Sequence, residues 1–314
     1  MPSYHTAVWH LAIKIFMALL MSLQHLRTFV EVYRQRSISG AARSLGLTQP
    51  AVSQHIAALE AAIERDLFTR QPKGVIPTLA GEELAASLGD RLDIAEAALA
   101  AARARSSDMT GSVRLIGHGD FLAEVVAPRL LPLLHSGLRI SLHTGDREAI
   151  RQGLIEGNYD LGLSAYVLAD RRLRSARIHE ERVYAVAAPR VAARIMAAPD
   201  LRRALMAEPV LAYHLERPLV EDWLVENRLP GPPVSPAVVG QDLRCLRSLM
   251  MQEFGWTALP GYLCGDLIAQ GQLTEIVAPV ERPVHTYSLV WSPAALRHPR
   301  VAFARNALMA GSFP

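Results

Sequence analysis

Residues 23 to 80 constrain the fold more than any other stretch: short apolar-striped helices joined by a tight turn, one of them opening on Thr48-Gln49-Pro50. Leu23, Leu26, Val30 and Tyr33 recur at helical spacing and predict the buried face of a first helix. Ser37 is a natural N-cap for a second, with Ala41, Ala42 and Leu45 inward. Gly46 then supplies the positive φ that a sharp turn needs. Thr48 caps a third helix, whose first turn tolerates Pro50 because its amides need no intrahelical acceptor. Val52, Ile56, Leu59 and Ile63 make its apolar stripe. This is a helix-turn-helix pattern.

The segment Arg70 to Pro77 predicts a short hairpin, a wing, with Gly74 at its tip. A long helix follows from Thr78 to about Arg105. Its Leu88, Leu92, Ala95, Leu99 and Ala102 alternate four and three residues apart, the spacing of a coiled-coil seam, with alanines allowing close approach. Such a seam predicts a dimer, and packing against the helix's own domain is the alternative. Polar residues Ser106 to Gly111 end the helix as a hinge.

Beyond the hinge the period changes to short β runs alternating with helices. Val113 to Ile116, Ile140 to His143, Leu161 to Leu163, Val183 to Ala188, Val210 to Tyr213 and Ser288 to Trp291 read as strands. Leu122 to Leu134 and Arg147 to Glu156 read as crossover helices. Alternation of this kind predicts mostly parallel sheets covered by helices.

Composition narrows the function less than pattern does. With 314 residues, half of them apolar, two or three domains are expected. The net charge of +3 excludes a polybasic nucleic-acid coat, so DNA binding has to rest on local residues. Cys245 and Cys264 lie too far apart for a CxxC motif. They read as thiols of a reducing cytoplasm, with a peroxide-sensing pair as the alternative. No metal-ligand cluster, nucleophile elbow or dinucleotide fingerprint is evident, so neither a cofactor nor an enzyme is expected. Leu11 to Met21 is apolar apart from Lys14, too short to span a bilayer and without a cleavage site. Residues 1–21 read as an extension, from a start at Met17 or Met21 or as an extra helix, rather than a membrane anchor.

The stretch Leu26 to Gly81 resembles the LysR-type transcription regulators. The resemblance is carried by Phe29, Ser37, Ala41-Ala42, Leu45, Thr48-Gln49-Pro50-Ala51-Val52-Ser53, Ile56, Leu59-Glu60, Leu67-Phe68, Arg70 and Thr78-x-Ala80-Gly81. Glu64 stands where the family usually has glycine. Weaker likenesses follow at Val113 to Gly117, Asn158 to Gly162, Gly255 to Pro260 with Leu263, and Gly271 to Leu273. The resemblance implies an N-terminal all-α winged helix-turn-helix at 22–80 and a linker and dimerisation helix at 81–107. It implies an α/β effector domain of two lobes at 112–314, similar to periplasmic binding proteins. Lobe I takes about 112–185 and 286–314, lobe II about 186–285, with crossover strands near Arg182 to Ala188 and Thr286 to Trp291.

A recognition helix presents short polar side chains at its N-terminal end. Gln49, Ser53 and Gln54 lie off the apolar stripe, and glutamine can pair bidentately with adenine. Pro50 can meet a thymine methyl, while Thr48 and Ser37 sit at helix N-termini suited to phosphate. Arg70 and Lys73 in the wing, and Arg34 or Arg36, are candidates for backbone neutralisation or are simply solvated. His55 is either a base contact or a surface residue.

The resemblance places Gly117-His118-Gly119-Asp120-Phe121 at the effector cleft, with Ser164 to Tyr166, Tyr213-His214 and Gln241-Asp242 facing it. Asp120 would receive an amine or guanidinium, making a cationic amino acid a candidate effector, or would cap the next helix. Expected partners are double-stranded promoter DNA, a small-molecule effector, and the chain itself as dimer and tetramer. RNA polymerase is a further contact, and no membrane is involved. A secreted solute-binding protein would share the C-terminal fold class but has no use for the N-terminal segment.

Overall fold

A computed structural model describes residues 23–72, 74–88, 91–93, 95–96, 112–213, 219–232 and 235–310. The expectations for residues 1–21, Lys73, Leu99, Ala102, the 106–111 hinge and His214 fall outside these residues. The chain divides into two compact units at the 107/108 boundary, with Asp170–Arg172 and Pro293–Ala302 belonging to the N-terminal unit.

In the N-terminal unit α1 spans 23–35, α2 Ile38–Leu45 and α3 Gln49–Ile63. Ser37 caps α2 by accepting from the Gly40 amide at 3.0 Å, and Gly46 ends it at φ 65°. Thr48 caps α3 through the Ala51 amide at 3.4 Å. Ala41, Ala42, Val52, Ile56 and Leu59 are buried. The buried face of α1 includes Val30, with Leu26 and Tyr33 packed against the core, as expected, and extends further to the fully enclosed Phe29 and Val32, while Leu23 is half exposed. Ile63, expected inward, reaches the surface as the end of α3 leaves the core.

The wing consists of β1, Phe68–Gln71, paired antiparallel with β2, Gly74–Pro77. Gly74 pairs with Gln71 and so opens β2 rather than forming the tip. A Cβ there would lie 2.4 Å from the Arg36 carbonyl, to which the Val75 amide donates at 3.0 Å. Glycine thus lets the wing dock against the end of α1. Helix α4, Leu79–Leu88, begins at Thr78, which accepts from the Gly81 amide and donates to the Asp66 carbonyl. Residues 91–93 and 95–96 are again helical.

The C-terminal unit is built on crossing strands. β3, Ser112–Gly117, runs parallel to β4, Arg139–Thr144, and to β5, Leu161–Ser164. β6, Arg174–Ala187, pairs antiparallel with β11, Val284–Trp291, as far as Arg182. From Val183 onward its partner is β9, Trp256–Pro260, also antiparallel, with β10, Thr274–Glu275, on its other edge. β7, Leu211–Tyr213, and β8, Val238–Gly240, are parallel to each other. The sheets are therefore mixed, not mostly parallel, because the strands that pass between lobes pair antiparallel. β6 is also longer than its apolar run suggested, since its first half is only partly covered.

Each lobe has its own core. Ile116, Ile150, Leu154 and Val290 pack together in the first. Trp223 and Trp256 anchor the second, where the Trp256 indole donates to the Leu205 carbonyl at 2.8 Å. Among the described residues no helix is long and apolar enough to cross a membrane.

Candidate DNA interface and effector cleft

The N-terminal end of α3 presents Thr48, Gln49, Pro50 and Gln54 to solvent, with Ser53 half-buried beside them. The buried stripe of Val52, Ile56 and Leu59 holds the opposite face. Short polar side chains thus project from the end of a helix whose back is fixed in a core. Arg70 is exposed on β1. Glu60 fixes the approach to the wing, its Oε1 accepting from the amides of Leu67 at 2.8 Å and Phe68 at 3.2 Å.

Two of the arginine candidates are otherwise engaged. Arg34 is buried and paired through both guanidinium nitrogens with Asp93. Arg36 lies 4.3 Å over the Tyr33 ring and pairs with Glu82 at 3.3 Å. The first ties the helical residues 91–93 to α1, and the second ties α4 to its end. His55 is half-buried, and its role is fixed by Thr28. The Thr28 hydroxyl donates to the Gln24 carbonyl, so His55 Nδ1–H donates to Thr28 at 2.9 Å. Leu88 and Leu92 of the expected seam lie half-buried against the helix-turn-helix core, while Ala95 is exposed.

In the C-terminal unit the loops after β3, β4, β5, β7 and β8 converge on one cleft of about 530 Å³. Thr144 to Arg147, Gln241, Asp242 and Arg244 form its mouth. His118, Tyr166 and Tyr213 line both this cleft and a smaller inner chamber of about 20 Å³, which Asp120, His285 and Tyr287 also line. Polar groups thus gather at the carboxyl ends of parallel strands, where open α/β sheets bind ligands.

The inner chamber is organised around a carboxylate. Asp120 is only 3 % exposed. Its Oδ2 accepts from the Tyr262 hydroxyl at 2.7 Å. Because that proton is committed, Tyr287 donates to Tyr262 across 3.1 Å, and the donors run Tyr287, Tyr262, Asp120. Oδ1 of Asp120 has no hydrogen-bond partner among the described residues. The helix-capping alternative does not hold, since His118 occupies the N-cap position and the Asp120 carboxylate turns to Tyr262. Burial drives the phenols of Tyr213 and Tyr262 far above their ordinary values, and the Asp120 charge adds to this. Both therefore stay neutral donors.

The other expected cleft residues divide. Gly119 lies at the mouth, and Tyr166 and Tyr213 link mouth to chamber. Asp242 is at the mouth but caps the helix Leu243–Met251 and chelates Arg244 at 2.7 and 3.0 Å, which holds its carboxyl below the usual range. Ser164 is fully buried and its hydroxyl exchanges hydrogen bonds with the backbone of Tyr166, so it shapes the turn instead of lining the cleft. Phe121 is likewise enclosed, stacked 4.0 Å from the Tyr287 ring. Tyr262, Tyr287, His285 and Arg147 were not expected. For Tyr262, its place just past the end of β9 was the available signal. Among the described residues no group of acids, histidines and cysteines is placed to hold a metal.

A helix-turn-helix with a wing, joined in one chain to a two-lobed α/β unit with a polar cleft, defines a DNA-binding regulator with a substrate-binding domain. Residues 23–82 match the model of the bacterial regulatory helix-turn-helix protein, lysR family, and residues 106–311 match the LysR substrate binding domain. The chain belongs to the LysR family of transcriptional regulators, which are not enzymes. It is 36% identical over 295 residues to the HTH-type transcriptional regulator AbaB of Streptomyces antibioticus, covering 91% of this chain and 97% of that one. It is 27% identical over 277 residues to the uncharacterized HTH-type transcriptional regulator YxjO of Bacillus subtilis, covering 86% and 92%. Its fold is similar to that of CrgA, a LysR-type regulator from Neisseria meningitidis, with a TM-score of 0.57 at 23% identity over 91% of this chain and 97% of that one.

Proposed function

We propose that the chain reads promoter DNA through Gln49, Pro50, Ser53 and Gln54 and is controlled by a small molecule held between the two lobes. Ser37, Thr48, Arg70 and Lys73 would contact the phosphate backbone. The observation that carries effector control is the cleft at the strand ends, which narrows to a chamber containing a buried carboxylate. Ligand bound there would favour one disposition of the lobes and thereby shift the population of DNA-bound states. On this reading the protein works in the cytoplasm as a dimer or tetramer beside RNA polymerase, with Ala95, Leu99 and Ala102 of the expected seam contributing to pairing while Leu88 and Leu92 pack against the helix-turn-helix core.

The test begins by selecting a preferred duplex from a random pool. Its affinity is then measured by fluorescence anisotropy against a library of small metabolites. At least one metabolite should change the affinity about tenfold. Ala165→Leu, which fills the inner chamber, should abolish that change and leave DNA binding intact. A response that survives Ala165→Leu, or no response to any metabolite, would refute effector control through this cleft.

A further inference from the structure

We infer that the effector is a primary amine carrying an anionic group, its ammonium held by Asp120 in the inner chamber and its anion facing Arg147 at the mouth. This rests on the reading of the cleft as the effector site. Four observations lead to it.

The first is the open valence of Asp120. A carboxylate this deeply enclosed costs free energy unless it is paired or fully hydrogen-bonded. Here one oxygen is satisfied by Tyr262, the other by nothing described, and no described arginine or lysine forms an ion pair with it. The chamber thus offers an acceptor that no described arginine or lysine meets directly.

The second is the wall. Tyr166, Tyr213 and Tyr287 line the chamber together with Leu219, Leu243 and Pro260. Tyrosine rings attract a cation through their quadrupole.

The third is size. A space of about 20 Å³ admits one water-sized group. An –NH₃⁺ fits. A guanidinium or a trimethylammonium is bulkier, so the space favours the smaller cation.

The fourth is the mouth. Arg147 is exposed at the start of the helix Arg147–Glu156, with its guanidinium 5.9 Å from the centre of the Tyr166 ring. Arg244 is already bound to Asp242. A ligand anion therefore meets Arg147 first, and Arg244 adds positive potential behind it. Tyr166 touches both compartments, so a molecule with its charges at opposite ends is oriented in one sense only.

The full chain is screened by thermal shift against the standard L-amino acids and straight-chain ω-amino acids. Beside each stand its desamino acid, its N-trimethyl analogue and its decarboxylated amine. At least one primary amino-carboxylate should raise the midpoint by about 2–4 °C. Its desamino and N-trimethyl forms should raise it by nothing. Asp120→Asn should weaken the binding about tenfold to a hundredfold, and Arg147→Gln about tenfold. Asp120→Asn, which keeps the shape and an oxygen to accept from Tyr262, should unfold at close to the parent's midpoint without ligand. That control separates lost binding from lost folding.

The inference is overturned if no amino-carboxylate binds, if desamino acids bind as well as their amines, or if Asp120→Asn binds unchanged. Acids or neutral metabolites that bind the cleft and alter DNA affinity would overturn the amine while leaving effector control standing. A metabolite library without effect on DNA affinity removes effector control itself.

Discussion

The Tyr262 hydroxyl donates to Oδ2 of Asp120 at 2.7 Å and joins residues 142 positions apart, tying the loop after β3 to the helix that follows β9. Removing this donor leaves both oxygens of a buried carboxylate without a partner. Tyr262→Phe should therefore cost about 1–3 kcal/mol. Urea unfolding followed by the fluorescence of Trp223 and Trp256 in the second lobe measures it. An unchanged midpoint would mean that the carboxylate finds another donor.

Glu64 supplies a second prediction. It terminates α3 at φ 57°, the left-handed conformation in which a side chain is strained, and its exposed side chain makes no compensating core contact. Glu64→Gly should relieve strain of about 1–2 kcal/mol against about 0.5–1 kcal/mol of added chain entropy, a small net gain. Far-UV circular dichroism is the suitable probe, because it reads the helices of the N-terminal unit directly, whereas Trp223, Trp256 and Trp291 lie in the other unit. A fall in stability would show that Glu64 makes a compensating interaction in solution.

Much of the DNA-binding unit was legible in the sequence because its determinants are local. Ser37, Gly46 and Thr48 each act on amides within a few residues, and Pro50 acts on its own φ. On α1 the expected Val30 is buried, but the fully enclosed Phe29 and Val32 were missed, because their burial depends on Phe68 and other residues far along the chain. In the cleft, the loop positions after β3 and β5 were legible from the strand-end rule. The tyrosines that define its chemistry were not. Tyr262 and Tyr287 meet Asp120 only after β6 and β11 have crossed between lobes, and no short-range pattern encodes that meeting. Ser164 failed as a cleft residue for the opposite reason: its hydroxyl closes a turn two residues away.

The two cysteines should react differently. Cys245 is exposed, whereas Cys264 is enclosed, and burial pushes its thiol up to about 12 from an ordinary 9.0. A thiol-specific disulfide reagent near neutral pH should modify one cysteine quickly and the second only as the protein unfolds. Because the folded value lies above the unfolded one, the contribution of Cys264 to stability is intact below pH 9 and is lost as pH climbs toward 12. Equal reactivity of the two thiols would contradict the enclosure.

Phosphate and base contacts should separate by their salt and sequence dependence. Arg70→Ala should weaken binding to all duplexes alike and lower the slope of log affinity against log salt by about 1. A loss confined to one sequence would make Arg70 a base contact.

The most direct test of the account is the affinity of Gln49→Ala/Ser53→Ala for the selected duplex relative to a scrambled one. With fold and oligomeric state unchanged, the double variant should lose its preference, each lost base contact being worth about 1–3 kcal/mol. Retention of the parent's preference would show that the exposed end of α3 does not read the DNA.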